Sequence, residues 1–183
     1  QMLLGKNLRE SQDFKTFEDY AGATDLGVLR MDVDGLGKRF IDGFASIRQY
    51  QEFSARLTDY FEKEVEKMQQ ESAFRDYLNL IYAGGDDLFI VGRWDKVIDF
   101  AERIHKETEK RFHDDGISIS GGIAIVNPKF PIAKAAELAG EAEEAAKSFK
   151  SANGKEKNAF HMLGKTVSWD KEFAYVKSYQ QQF

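Results

Sequence analysis

Apolar and polar positions divide the chain into strand-like and helix-like segments. Short apolar runs bounded by glycine or charged residues predict β-strands over residues 26–34, 77–82, 87–91 and 117–126. Apolar residues three and four positions apart predict helices over residues 47–72, 94–113, 132–149 and 169–179. One more short apolar stretch predicts a final edge strand over residues 157–163.

The order of these segments predicts an α+β fold. When the helices after the first strand are counted as one crossover, the order is βαββαβ, which is typical of a ferredoxin-like palm with an antiparallel sheet and helices on one face. Right-handed crossovers place the first strand beside the central hairpin. We expect a lead-in arm or helix over residues 1–24, the palm over residues 25–163 and a helical C-terminal extension over residues 164–183.

The composition excludes several classes of site. The 31 acidic residues outnumber the 26 basic ones, and the net charge of −5 argues against a general nucleic-acid or membrane-surface binder. The chain contains no cysteine, which excludes disulfides, thiolate catalysis and cysteine-bound zinc. No apolar run approaches the ~18 residues of a membrane span and no signal peptide is visible, so we expect a cytoplasmic protein. Gln1 is not a normal translation start, which favours an excised domain.

Two glycines and two aspartates separate the apolar runs in the middle of the chain, in the order Gly84-Gly85-Asp86-Asp87. Glycine accepts the positive φ that a tight hairpin turn requires. Adjacent carboxylates repel each other and raise each other's pKa, and a divalent cation removes that cost. Because Mg²⁺ binds one or two carboxylates together with substrate phosphates, the sequence predicts a metal and nucleotide site here. A solvated acidic turn is the alternative.

The first strand ends with a second pair of carboxylates. Asp32 and Asp34 are two positions apart, so both side chains lie on one face of an ideal strand. A glycine-bearing turn into a helix follows, and the amides of Gly35, Leu36 and Gly37 are expected to face the β- and γ-phosphates of a nucleotide. The alternative is a capped strand-to-helix turn with Asp34 as the N-cap.

The predicted topology brings the carboxylates of the first strand to the hairpin turn. Carboxylates on adjacent strands that hold two cations are a recurring arrangement for nucleotidyl transfer. We therefore expect two Mg²⁺ or Mn²⁺ ions bound by Asp32, Asp86 and Asp87. The Val33 carbonyl is a supplementary ligand, and Asp34 is a further candidate.

Positive charge for a triphosphate is available after the last long helix, in Lys147, Lys150, Lys155 and Lys157. Lysines at the C-terminal end of a helix are equally expected as partners of the helix dipole. The three histidines have no partner at a metal-binding spacing, so we expect each of them to be structural or solvated.

Four segments resemble, in order, the GGDEF/palm class of nucleotide cyclases and polymerases: residues 32–34, 84–87, 119–124 and 145–147. The GGDD form of the hairpin, with Asp-Val-Asp-Gly-Leu-Gly before it, is more specific. Together with the segments 127–132 and 135–140, it is similar to the second palm domain of the large subunit of type III CRISPR effector complexes, closest to the III-A (Csm) type.

The resemblance implies a palm that binds ATP and two metal ions and makes cyclic oligoadenylates when its complex captures target RNA. It makes Asp86 and Asp87 the catalytic aspartates and Asp32 the first-strand metal ligand. It also makes Lys147 a phosphate-binding lysine, with Lys157 near a following basic position. The implied partners are a second palm, within the full subunit or in a homodimer, the other effector subunits, and guide and target RNA.

Two other functions remain open from the sequence. A GGDEF-like cyclic dinucleotide synthase is disfavoured because Phe40 and Ile41 replace the Asn-Asp pair with which diguanylate cyclases read guanine. The Arg-x-x-Asp inhibitory site of those cyclases is also missing, since Leu78 replaces the aspartate three positions after Arg75. A non-catalytic scaffold palm is disfavoured because a scaffold has no need to keep uncompensated carboxylates together.

Overall fold

The computed structural model describes residues 16–21, 24–151, 154 and 156–180, so most of the expected lead-in segment lies outside the described residues. The helices are α1 Phe17–Ala21, α2 Leu36–Asp42, α3 Ile47–Asp59, α4 Val65–Gln69, α5 Trp94–Phe112, α6 Ile132–Lys147 and α7 Phe173–Gln180. A π-helical turn at Tyr60–Glu64 joins α3 to α4. The strands are β1 Leu26–Asp34, β2 Leu78–Gly84, β3 Asp87–Arg93, β4 Ser118–Val126, β5 Ala159–Met162 and β6 Lys165–Ser168. Within these ranges, no helix has both the length and the apolar composition that a membrane crossing needs.

The strands form one sheet in the order β2-β3-β1-β4-β5-β6. The first four strands pair antiparallel, and β1 lies beside the β2–β3 hairpin, which confirms the predicted βαββαβ core and the α+β class. β5 pairs parallel to β4 and antiparallel to β6. The expectation of a final edge strand at residues 157–163 is therefore wrong, because β6 covers the outer side of β5.

The central strand β1 carries buried apolar residues on both faces, and helices cover both. Its residues Leu29 and Met31 belong to the main core, together with α3 and α5. Its residues Leu26 and Val28 pack against the alanines of α6 in a second cluster. The prediction of helices on one face is therefore wrong, since burying both faces of β1 requires a helix on each side.

The helix α6 lies against the sheet at very short range. An ideal Cβ added to Gly122 of β4 would lie 2.2 Å from the backbone carbon of Ala142 and 2.3 Å from the backbone nitrogen of Glu143. No side chain larger than hydrogen fits this position without a shift of the helix. The glycine thus fixes the distance between α6 and the strand β1, which pairs with β4.

Candidate nucleotide and metal site

The β2–β3 hairpin turns through two residues, Gly85 and Asp86, between the paired residues Gly84 and Asp87. Gly85 has a φ of 64°, a conformation that other residues rarely adopt. The predicted glycine hairpin is confirmed. It places two successive aspartates at the end of the hairpin that adjoins β1.

Asp32 of β1 and Asp87 of β3 are direct partners across the antiparallel pair. Directly opposed residues share a face of the sheet, with their Cβ atoms ~5 Å apart. The turn is also joined to β1, because the Val33 amide donates a hydrogen bond of 2.8 Å to the Asp86 carbonyl. The structure thus brings the end of the first strand and the hairpin turn together, as the topology predicts.

The carboxylates at this position repel one another. The pKa of Asp87 is raised, first by partial burial and then by the nearby charges of Asp86 and Asp32. The Arg30 guanidinium and the Tyr82 hydroxyl lower this pKa and offset only part of the increase. Such a set of oxygen donors, whose negative charge is only partly compensated, fits a hard divalent cation.

Lys147, at the C-terminal end of α6, forms an ion pair with Asp32. One helical turn earlier, the buried Glu143 lies 3.5 Å from the guanidinium of Arg30. Burial and the Asp32 charge raise the pKa of Glu143. The face between β1 and α6 therefore carries alternating charges, with Lys147 as the cation beside the first-strand aspartate.

The three aspartates are not drawn together as tightly as metal ligands around one ion. The set Asp32, Asp86 and Asp87 is not among the described groups whose ligand atoms all lie within 4.8 Å of one another. The Lys147 ammonium occupies the position beside Asp32 where a metal ion would bind. An ion held by all three aspartates would therefore require their carboxylates to move closer together and the Lys147 ammonium to leave Asp32.

Asp34 has a different environment from Asp32. Its side chain is 3% exposed, and Oδ2 accepts hydrogen bonds from the Ser118 hydroxyl, the Ser120 hydroxyl and the Asn158 amide at 3.0, 2.7 and 3.1 Å. The capped-turn alternative is wrong, because Gly35 is the N-cap residue of α2 and no side chain caps it. The three donors indicate that Asp34 joins β1 to β4 and to the segment before β5. A metal-binding role for Asp34 remains a prediction.

Asp34→Asn is expected to change the pH dependence of stability. Burial raises the pKa of Asp34 above its ordinary 3.8, so folding favours the protonated carboxyl. The stabilisation from the protonated carboxyl is fully present below the pKa that Asp34 has in the unfolded chain. It is lost as pH rises through the pKa that Asp34 has in the folded protein. The stability of the unaltered protein relative to Asp34→Asn should therefore fall as pH rises above about 4. Urea unfolding of both proteins in the presence of a chelator measures this difference, and a pH-independent difference would contradict the expectation.

The turn after β1 positions the amides that were predicted to face phosphates. Gly35 has a φ of 80°, and an added Cβ would lie 2.8 Å from the Gly116 carbonyl oxygen, so only glycine fits. Leu36 and Gly37 begin α2, which has seven residues. Apart from its chain neighbours and the backbone of its own helix, no protein atom lies within 4 Å of an added Cβ at Gly37, so this side of the turn is open. Phosphate binding by these amides remains a prediction.

Lys157 lies apart from the lysine that contacts Asp32. It has a φ of 62°, and its amide donates to the Phe149 carbonyl at 2.8 Å. It lines a small cavity of about 90 Å³ together with Phe149, Ser151, Asn158, Ser168, Asp170 and Lys171. The structure therefore brings Lys147, rather than Lys157, to the aspartates.

Sequence reasoning missed three side chains of this site. Arg30 and Glu143 join β1 to α6, and the Tyr82 hydroxyl donates to the Gly84 carbonyl at 3.2 Å beside the turn. The available signals were a single arginine inside an apolar strand and a glutamate one turn before Lys147. Neither signal identifies its partner without the three-dimensional fold.

Known proteins share both the sequence and the fold of this chain. A family model described as Cas10/Cmr2, second palm domain, matches residues 25–160. The "CRISPR system single-strand-specific deoxyribonuclease Cas10/Csm1 (subtype III-A)" of Methanocaldococcus jannaschii is 35% identical over 180 residues, which cover 88% of this chain and 22% of that protein. The chain thus spans about a fifth of this relative's length.

Solved structures show the same fold at lower sequence identity. A Csm1-Csm4 cassette in complex with AMPPNP has a TM-score of 0.75 and 22% identity, and the match covers 91% of this chain and 26% of that one. The cassette in complex with cA3 gives the same values. At this identity the likeness establishes the palm fold.

Proposed function

The chain belongs to the family of Cas10/Cmr2 second palm domains, and on this premise we propose that it is a nucleotidyl transferase palm that makes cyclic oligoadenylates from ATP. The reaction joins a ribose hydroxyl of one nucleotide to the α-phosphorus of another and releases pyrophosphate. It belongs to the type III-A large subunit, whose complex activates it on recognition of target RNA.

The cross-strand pair of Asp32 and Asp87 beside the hairpin turn is the observation that carries this proposal. Phosphoryl transfer requires mainly positioning and charge neutralisation, and these carboxylates lie on adjacent strands of a rigid sheet. Asp86 adds a third carboxylate in the turn, hydrogen-bonded through its carbonyl to the Val33 amide. A fold that serves only as a scaffold gains nothing from this repulsive arrangement.

The aspartates and Lys147 have separate roles in this proposal, in metal binding and in phosphate binding. Asp32, Asp86 and Asp87 would hold Mg²⁺ or Mn²⁺, with the Val33 carbonyl as a supplementary ligand. When bound, such ions lower the pKa of the attacking hydroxyl and neutralise charge on the leaving pyrophosphate. Lys147 is paired with Asp32 in this structure. When the nucleotide binds, the Lys147 ammonium would move from Asp32 to a phosphate oxygen.

Adenine nucleotides are the proposed substrates. The solved Csm1-Csm4 cassettes with AMPPNP and with cA3 share the palm fold, which supports an adenine nucleotide as substrate and a cyclic adenylate as product. The full subunit would supply a second palm, and Csm4 and RNA would be further partners. The deoxyribonuclease activity in the relative's name refers to a protein of which this chain matches 22%.

Incubation of the chain with Mn²⁺ and each nucleoside triphosphate in turn, followed by mass analysis of the products, tests the proposal. Linear or cyclic adenylates support it, and we expect weak turnover that rises with protein concentration if two palms are needed. A guanine dinucleotide would instead identify a GGDEF-like synthase. Failure to consume ATP even with the partner palm supplied would leave only the scaffold function.

Lys147→Met is expected to separate nucleotide binding from metal binding. Loss of a charge-assisted hydrogen bond to phosphate costs about 1.5–3 kcal/mol, so the affinity for ATP should fall about tenfold to a hundredfold. Without nucleotide, the affinity for Mn²⁺ should not fall, because Asp32 loses a competing cation. Calorimetric titration of each ligand measures both effects.

Lys134→Met is the matched control for this variant. Lys134 lies on the same helix and pairs with Glu137 on the exposed surface. Its replacement should leave both affinities unchanged. An equal loss of ATP affinity in the two variants would show that Lys147 acts only through net charge.

A further inference from the structure

A second group of metal-ligating side chains lies outside the aspartate site. It consists of His105 and Glu109 of α5 and of Asp170, which follows β6. One ligand atom from each residue lies within 4.8 Å of the other two. His105 and Glu109 are four positions apart, so the helix presents them on one face, and the expectation that no histidine has a partner at a metal-binding spacing is wrong.

The His105 imidazole is held in one orientation. It is 7% exposed and stacks on the Trp169 ring, with centroids 4.6 Å apart and planes 16° apart. Its Nε2 lies 3.1 Å from the side-chain oxygen of Asn158, which can only accept a hydrogen bond. This contact favours the tautomer in which Nε2 carries the proton and Nδ1 keeps its lone pair. Histidines that bind metals are oriented in this way by a partner at the second ring nitrogen.

The charges around the ring favour a cation. Burial lowers the pKa of His105, which keeps the imidazole neutral, while Glu109 and Asp170 both act to raise it and so place negative charge near the ring. Both acids are exposed at the surface, so an ion can reach them. Asp170 also lines the cavity that contains Lys157 and Lys171, and a bound ion has to compete with these ammonium groups.

We propose that His105, Glu109 and Asp170 bind one divalent transition-metal ion, with Zn²⁺ preferred. One imidazole nitrogen and two carboxylate oxygens form a donor set that Zn²⁺ accepts, with water at the remaining position. Mg²⁺ prefers oxygen ligands alone and is disfavoured here. The ion would link α5 to the segment between β6 and α7. Its three ligands are separate from Asp32, Asp86 and Asp87, and the inference does not rest on the proposed function.

Zinc titration of the whole chain in excess Mg²⁺ tests the proposal. The unaltered protein should bind one more Zn²⁺ ion than the double variant Glu109→Gln, Asp170→Asn, and its melting temperature should rise with Zn²⁺ while that of the variant does not. Both substitutions are at exposed positions and keep the shapes of the side chains. The double variant Glu66→Gln, Asp76→Asn removes the same charges elsewhere on the surface and should behave like the unaltered protein.

Anomalous diffraction at the zinc edge provides a measurement that does not depend on the variants. Crystals with Zn²⁺ should show a peak between the three side chains. Equal zinc stoichiometry in the unaltered protein and the first double variant, or an anomalous peak only beside Asp32 and Asp87, would overturn the proposal. The turnover of ATP is not expected to change with the first double variant, so failure of this proposal is distinguishable from failure of the proposed function.

Discussion

Replacing both Asp32 and Asp87 with asparagine is expected to abolish ATP turnover and to lower the affinity for Mn²⁺ by a hundredfold or more. The two residues are direct cross-strand partners and supply ligand oxygens from both strands. A bound metal ion contributes several kcal/mol of charge stabilisation to the transition state. Loss of a group that only orients a metal ligand already costs roughly 10–100-fold in metal affinity, so loss of two ligands should cost a hundredfold or more. Product analysis by mass and Mn²⁺ binding by calorimetry measure the two effects.

The fold should survive this double replacement. Partial burial and the charges of Asp86 and Asp32 raise the pKa of Asp87, and removing two like charges relieves this repulsion, so the thermal unfolding temperature should be unchanged or higher. Asp76→Asn is the control, because this exposed aspartate precedes the start of β2, at the end of the sheet away from the hairpin turn. Retention of ATP turnover within threefold in the double variant would exclude the aspartates from the reaction.

Gly122→Val is expected to destabilise the fold by 3 kcal/mol or more, roughly the upper end of the cost of overpacking. An added Cβ meets the backbone of α6 at 2.2 Å, and a backbone cannot rotate away as a flexible side chain does. The helix must move outward, which also separates Glu143 and Lys147 from their partners on β1. Urea unfolding measures the loss of stability, and ATP binding measured below the transition reports the displacement of Lys147.

Gly37→Ala is the stability control for Gly122→Val. An added Cβ at Gly37 meets no atom within 4 Å, and the residue lies in α2 without a positive φ. Alanine in a helix is favoured over glycine by about 0.5–1 kcal/mol, so this variant should be as stable as the unaltered protein or more so. A Gly122→Val protein of unchanged stability would mean that α6 is seated loosely on the sheet.

The proximity of Asp32 and Asp87 was predictable because it follows from local sequence patterns and from the handedness of strand connections. Strand alternation fixes the face of each side chain, the glycine turn fixes the hairpin, and crossover handedness fixes the neighbouring strand. The hydrogen-bond partners of Asp34 and His105 were not predictable in the same way. Asp34 is held by donors 84 to 124 residues away in the chain. His105 bonds Asn158, 53 residues away.

The sequence also did not indicate which face of the sheet α6 covers. Both faces of β1 carry buried apolar residues, so its pattern does not indicate where a helix packs. The alanines of α6 indicate close packing on a sheet without naming a face. The position was decided by Gly122, whose missing side chain admits the helix on one face, while Gly121 next to it admits Met31 on the other.

The parallel pairing of β4 with β5 has a consequence for the order of folding. Antiparallel strands can start from a local hairpin, whereas a parallel partner must wait until the connecting segment has crossed the sheet. Here that segment includes the whole of α6. During synthesis or refolding, the outer edge of β4 therefore stays open until β5 arrives, and an open edge is a template on which a neighbouring molecule can add a strand. Docking of α6 onto the sheet brings β5 to that edge, and the pairing of β5 with β4 then closes it.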